Sequence, residues 1–195
     1  MTYPSLEEIK KLHKKLALND QVFQRVFIHC EIINKIALHI TEKNALNINL
    51  ELINSGSLLH DIGAYEFFNK EPFNEKEYIR HGIVGYNILK DLDFPQELCR
   101  IASHHTGVGI QKEEIIRDNL PLPHEDFLAD TLEEKIIMYA DKFHSKHPQF
   151  NTYESYRNKI LKFGLDKMKI FELMAQEFGI PEIQNLAKEY NMPLV

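Results

Sequence analysis

Between residues 20 and 44 the apolar side chains recur at helical spacing. Val22, Val26, Ile33, Ile36, Ala37 and Ile40 share one stripe, and His29 falls on it. A stripe of that length demands a helix of about seven turns with one face in a core, so His29 points inward. The same periodicity governs most of the chain. Ser5 and Glu8 make a capping-box pair ahead of Ile9, Leu12 and Leu16. Helices are expected over 49–62, with Gly63 ending the segment at positive φ, and over 76–90, 95–105 (followed by Gly107 and Gly109) and 133–145. Three more are expected over 153–163, 166–178 and 181–190. Residues 64–75 and 118–130 read as loops, the second long enough to be functional. No segment shows the two-residue alternation of a half-buried strand. The expected fold is an all-α, single-domain helical bundle spanning 1–195.

Composition narrows the class. At 195 residues, 44% hydrophobic and 27% charged, the chain has enough apolar mass for one sizeable core. A formal net charge of −6 offers no basic footprint for nucleic acid or an anionic membrane, although bound metals can invert the charge of a local site. Cys30 and Cys99 each sit in an apolar run and read as buried, reduced thiols. No secretory apolar segment follows Met1 and no apolar run is long enough to span a bilayer, so the cytoplasm is the expected location.

Histidine is the unusual residue, with ten in all. His60 and Asp61 lie between Leu58-Leu59 and Ile62, positions that read as buried. Asp141 lies between Tyr139-Ala140 and Phe143, where a carboxylate without a partner is costly. His81 follows Arg80 at a helix start, and His104-His105 close another helix. Each has an ordinary reading in isolation. His29 could be a satisfied core histidine, His104 and His105 favourable charges at a helix C-terminus, Asp141 half of a salt bridge, and Arg80 and Lys142 solvated. Together, imidazoles and carboxylates form the donor set that a divalent transition metal selects.

The ordered set resembles the HD superfamily of metal-dependent phosphohydrolases. The resemblance rests on His29, then His60-Asp61-Ile62-Gly63 in the "HDIG" form, then Asp141, over about residues 20–147. His81-Gly82 and His105-Thr106-Gly107 are similar to the subset with two extra histidines, among them the HD-GYP proteins and bacterial diadenosine tetraphosphate hydrolases. The GYP motif of cyclic-di-GMP phosphodiesterases is replaced by Gly107-Val108-Gly109-Ile110, which argues against that substrate. The resemblance implies that His29, His60, Asp61 and Asp141 bind one ion. It also implies that His81 and His105 complete a second site with Asp61 bridging, for Fe, Mn, Zn, Co or Ni. His104 stays open between ligand and substrate contact. The implied reaction is attack of a hydroxide on the phosphorus of a small, nucleotide-like ester or anhydride. Asp61 is its central residue, and Arg80, His104 and Lys142 are candidates for phosphate contact or leaving-group protonation. A di-iron oxygenase and a non-catalytic nucleotide-binding sensor are the competing readings. The aromatics Tyr65, Phe67, Phe68 and Phe73 suit either a base stack or, more simply, loop packing. The helices beyond 153 suit either a homodimer face or closure of the bundle.

Overall fold

The computed structural model describes residues 3–195. The long stripe becomes α2 (Asp20–Lys43), whose Val26, Ile33, Ile36, Ala37 and Ile40 are buried together with His29. Around it are α1 (Leu6–Leu16), α3 (Leu50–Leu59), α4 (Tyr65–Phe68), α5 (Glu75–Tyr78), α6 (His81–Asp91) and α7 (Gln96–His104). They are followed by α8 (Lys112–Arg117), α9 (Leu132–Ala140), α10 (Tyr153–Ile160), α11 (Leu165–Phe178) and α12 (Gln184–Glu189). α2 packs on α3 and α9, α3 on α7, and α6 on α7. Among the described residues there is no strand, only isolated bridges. The fold is all-α, a single helical bundle, as the periodicity requires, and most of its buried apolar side chains form one connected cluster from Ile9 to Ala187.

Local chemistry sets the boundaries. Ser5 and Glu8 do form the capping box of α1, Asn19 caps α2 and Thr131 with Glu134 caps α9. Several expected boundaries move. The 49–62 segment stops being α-helical at Leu59 and passes into a tight 3₁₀ turn over Ile62–Ala64. The expected 76–90 helix is two helices, α5 and α6, broken at Ile79-Arg80. The 64–75 stretch opens with the short α4, and 133–145 ends as α-helix at Ala140. α8 is additional. The 118–130 segment is irregular and pinned by paired backbone bonds between Ile110 and Phe127 of 3.0 and 2.8 Å.

Gly63 is glycine for a different reason than expected. It is not among the residues of positive φ. A Cβ there would lie 2.1 Å from the His81 carbonyl oxygen and 2.4 Å from the Gly85 amide nitrogen, so the 3₁₀ turn is pressed against the first turn of α6. The loop aromatics pack among themselves, with Tyr65 and Phe67 buried and Phe68 stacked on Phe73 at 5.3 Å. Cys30 and Cys99 are free and buried, as expected. The C-terminal helices close the bundle. Phe171 and Phe178 are buried against Tyr139, whose hydroxyl donates to the Gly179 carbonyl at 3.0 Å. Lys167 donates to the Gly109 carbonyl at 2.7 Å and ties α11 to the turn after α7. No helix among the described residues is long and apolar enough to cross a membrane.

His13 fastens α1 to the bundle. Its ring is fully buried, with Nε2 2.8 Å from the Leu58 carbonyl and Nδ1 2.8 Å from the Tyr65 hydroxyl. The carbonyl can only accept, so Nε2 carries the proton and Nδ1 accepts from Tyr65.

Two outcomes follow from this packing. Gly63→Ala should cost about 3 kcal/mol or more in denaturant unfolding, because both clashing atoms are backbone and cannot rotate away. Burial pushes His13 from its ordinary 6.5 down to about 4. Between those values the unfolded chain binds a proton that the folded chain refuses, so stability falls as pH drops from 6.5 towards 4. His13→Gln, which keeps a donor for Leu58, should reduce that slope by about 1.4 kcal/mol per pH unit, the contribution of one proton. Parallel slopes in the two proteins would refute the assignment.

Candidate metal centre

The site forms where helix ends meet the middle of α2. His29 comes from that middle, His60 and Asp61 from the turn after α3, His81 from the first residue of α6, His105 from the end of α7 and Asp141 from the end of α9. Donor atoms converge in two groups that could each hold a cation. One comprises His29, His60, Asp61 and Asp141; the other comprises Asp61, His81 and His105. Asp61 belongs to both and splits its oxygens between them. Its Oδ2 lies 3.1 Å from His29 Nε2 and 3.3 Å from His60 Nε2. Its Oδ1 lies 3.3 Å from His81 Nε2 and 3.5 Å from His105 Nε2. Asp141 Oδ1 completes the first group at 3.0 Å from His29 and 3.5 Å from His60.

Hydrogen bonds on the far side of three rings fix their orientation. His60 Nδ1 donates to the Ser57 carbonyl at 2.7 Å, His81 Nδ1 to Tyr78 at 2.7 Å and His105 Nδ1 to Ala102 at 2.8 Å. Each bond runs three residues back and takes the carbonyl that a continuing helix would claim. This accounts for the boundaries beside His60, His81 and His105. It also leaves each Nε2 as the inward-facing donor atom, the arrangement that metal-binding histidines use. His29 has its Nδ1 2.9 Å from Nδ1 of His144.

A divalent cation fits this donor set. Burial drives His81 down to about 3 and pushes His105 down as well, so both rings are neutral. With both Nδ1 protons committed to carbonyls, two Nε2 lone pairs face each other across 3.0 Å, and a cation removes that repulsion. Asp61 is fully buried, yet neither oxygen accepts a well-aligned hydrogen bond, which is costly unless a cation compensates it. Burial alone would raise both carboxyl groups. Lys146 and His60 beside Asp61, and Lys142 with His29 and His60 beside Asp141, outweigh it and hold both well below the usual range. His60 is held well above its ordinary value, because Asp61 next to it overcomes the opposing effect of burial.

The remaining sequence candidates lie around the cluster. Lys142 is buried, not on a solvated helix face. It donates to Asp141 Oδ2 at 2.7 Å and to the His105 carbonyl at 3.1 Å. His104 turns away to the Arg100 carbonyl and Ser103 hydroxyl and lies against Phe127. Arg80 is solvated and paired with Glu77 at 3.0 Å. The sequence reading missed His144 and Lys146. Lys146 makes an ion pair with Asp61 Oδ2, and its ammonium lies 5.6 Å from the centre of the Tyr78 ring. The available signal was the polar run Asp141-Lys142-Phe143-His144-Ser145-Lys146 after an apolar helix, which offers more polar groups than a helix end needs.

Comparison with known proteins gives the class. The HD domain family model matches residues 26–146, more than half of the chain, and the protein belongs to the HD-domain family. An uncharacterised protein of Methanocaldococcus jannaschii is 38% identical over 121 residues, 60% of this chain and 65% of that protein. A tRNA (cytidine(56)-2'-O)-methyltransferase of Picrophilus torridus is 34% identical over 136 residues, 68% of this chain but 36% of that protein. The same enzyme of Thermoplasma volcanium is 28% identical over 155 residues, 77% of this chain and 42% of that protein. The chain therefore spans less than two thirds of each of these relatives. The HD domain of the Listeria monocytogenes phosphodiesterase PgpH in complex with cyclic-di-AMP superposes with a TM-score of 0.55 at 18% identity, covering 94% of this chain and 97% of that one. At that identity the likeness is one of fold.

The geometry predicts separable metal loss. His81→Ala should empty the second group and leave the first, so that metal per chain falls by about half if both groups are filled in the native protein. Elemental analysis of protein prepared without chelators or a metal-affinity tag measures this, and unchanged content would refute two separate groups.

Proposed function

We propose that this protein is a metal-dependent phosphohydrolase that cleaves a phosphate ester or anhydride of a small, nucleotide-like molecule. The observation that carries the reading is the buried Asp61, with one oxygen turned towards each histidine group. In this reading His29, His60, Asp61 and Asp141 hold one divalent ion, and His81 and His105 hold a second that shares Asp61. Imidazole with carboxylate suits Fe, Mn, Zn, Co or Ni. Ions held there would polarise phosphoryl oxygens and lower the pKa of a water for attack on phosphorus. The chain's own groups supply orientation. Carbonyl bonds hold three rings with Nε2 inward, and Lys142 holds Asp141 so that Oδ1 faces His29 and His60. Lys142 is therefore assigned to positioning Asp141. His104 and Arg80 stand off the cluster and reach substrate only if it extends beyond the reacting phosphate.

HD-family membership supports phosphohydrolase chemistry, and the cyclic-di-AMP complex of the PgpH domain supports a nucleotide. Methyl transfer is not carried over, since the chain spans 42% at most of the methyltransferases it matches.

The test is metal content per chain together with phosphate release from a panel of phosphomonoesters, nucleotides and dinucleotides. About two transition ions with phosphate release is the expected result. Asp61→Ala should abolish metal binding and lower turnover by more than about a hundredfold, the upper loss seen when only a ligand's outer hydrogen-bond partner is removed. Full metal occupancy without phosphate release, or turnover surviving in Asp61→Ala, would overturn the assignment.

A further inference from the structure

The centre contains two carboxylates, Asp61 and Asp141, and each has its own ammonium group. Lys142 serves Asp141 and Lys146 serves Asp61. The two lysines are seated differently. The Lys142 side chain is 3% exposed and its Nζ is shared between a carboxylate and the His105 carbonyl. The Lys146 side chain is 14% exposed; besides Asp61 its ammonium lies near Tyr78, 5.6 Å from the ring centre.

Lys146 also borders a cavity of about 490 Å³ between the N-terminal half of α2 and the segment 144–148, lined in part by Gln21, Gln24, Arg25, Ile28, Lys146 and His147. No acidic side chain lines it among the described residues. Arg25 Nε donates to the Lys146 carbonyl at 3.1 Å, and its guanidinium lies over the Phe68 ring at 4.0 Å. Arg25 thereby holds the backbone from which the Lys146 side chain springs, and its positive charge stands at the same cavity. Another cavity, beside Arg80, is lined in part by Glu66, Lys70 and Glu77 and carries both signs.

Charge balance connects these features. Two ammonium groups stand on the two carboxylates, so the negative charge of the buried cluster is already offset. A divalent ion on Asp61 adds two positive charges where Lys146 already stands, and like charges a few ångströms apart in a poorly solvated site repel strongly. Of the two ammonium groups, Lys146 is the more exposed, has no backbone acceptor and has open space beside it.

We propose that Lys146 is an exchangeable counter-ion, which balances Asp61 before metal binds and, once a metal takes Asp61, turns its ammonium into the adjoining cavity to form with Arg25 a subsite for a substrate phosphate. This rests on the metal-dependent reading above and gives it an order of events, with metal first and anion second. Arg25 positions the Lys146 backbone and contributes charge, and the amides of Gln21 and Gln24 offer donors and acceptors to the remainder of a nucleotide.

The test uses Co²⁺, whose visible absorption reports binding without turnover, on the full chain. Lys146→Met keeps the stem and removes the charge. It should bind Co²⁺ about tenfold more tightly in chelator competition, since removing about 1.4 kcal/mol of opposition is a factor of ten. Calorimetry with adenosine monophosphate on the Co²⁺-loaded protein should show about tenfold weaker binding in Lys146→Met. Arg25→Gln should weaken the nucleotide and change Co²⁺ affinity by less than Lys146→Met does, since the Lys146 charge remains. Lys146→Arg, which keeps the charge, should stay near the parent in Co²⁺ affinity and serves as the folding control. Equal or weaker Co²⁺ binding in Lys146→Met, or a gain of the same size in Lys146→Arg, overturns the exchange. Nucleotide affinity unchanged in both Lys146→Met and Arg25→Gln overturns the subsite. A parent protein that takes up no Co²⁺ overturns the metal reading and the exchange together; normal uptake with unaltered variants overturns the exchange alone.

Discussion

Much of this structure turns on one buried carboxylate. Asp61 has no exposed surface and no aligned hydrogen-bond donor, yet four imidazole nitrogens and an ammonium surround it. Taking a carboxylate out of water costs several kcal/mol unless compensating charge is fixed around it. The compensation comes from α2, the turn after α3, α6, α7 and the segment after α9. The bundle that brings these five places together is the one whose apolar faces form the connected core, so packing energy holds in place an electrostatic arrangement that would not assemble alone.

One device recurs at three of those places. A histidine at a helix boundary donates from Nδ1 to the carbonyl three residues earlier, at Ser57, Tyr78 and Ala102. The bond satisfies a carbonyl that a helix end leaves open and at the same time selects the tautomer that turns Nε2 inward. Helix termination and ring orientation are therefore one event. Gly63 belongs to the same construction, because only a residue without Cβ lets the turn carrying Asp61 press against the start of α6, where His81 stands.

The two lysines show how burial divides similar residues into different roles. Both follow Asp141 within five positions and both face a carboxylate. Lys142 is locked by a second acceptor and Lys146 is not. The same backbone segment also brings His144 against His29, so the ring furthest from a helix end is oriented by a side chain instead of a carbonyl.

The helical class, the inward direction of His29 and the ordered set His29, His60-Asp61, His81, His105 and Asp141 were legible in the sequence. Apolar periodicity is a local property, and polar residues inside apolar runs stand out without a structure. Helix boundaries were less legible. The ends beside His60 and His81 are set by side chain–carbonyl bonds and by contact between distant turns, which no apolar pattern encodes. The burial of Lys142, the turning away of His104 and the approach of Lys146 to Asp61 were decided by tertiary structure alone. Each depends on which way a long side chain leaves its helix, and on a partner brought near only when the chain closes. Sequence by itself determined which donor groups this protein owns. Folding determined which of them share a carboxylate, because a charge a few ångströms away in a buried site outweighs any preference a residue carries alone.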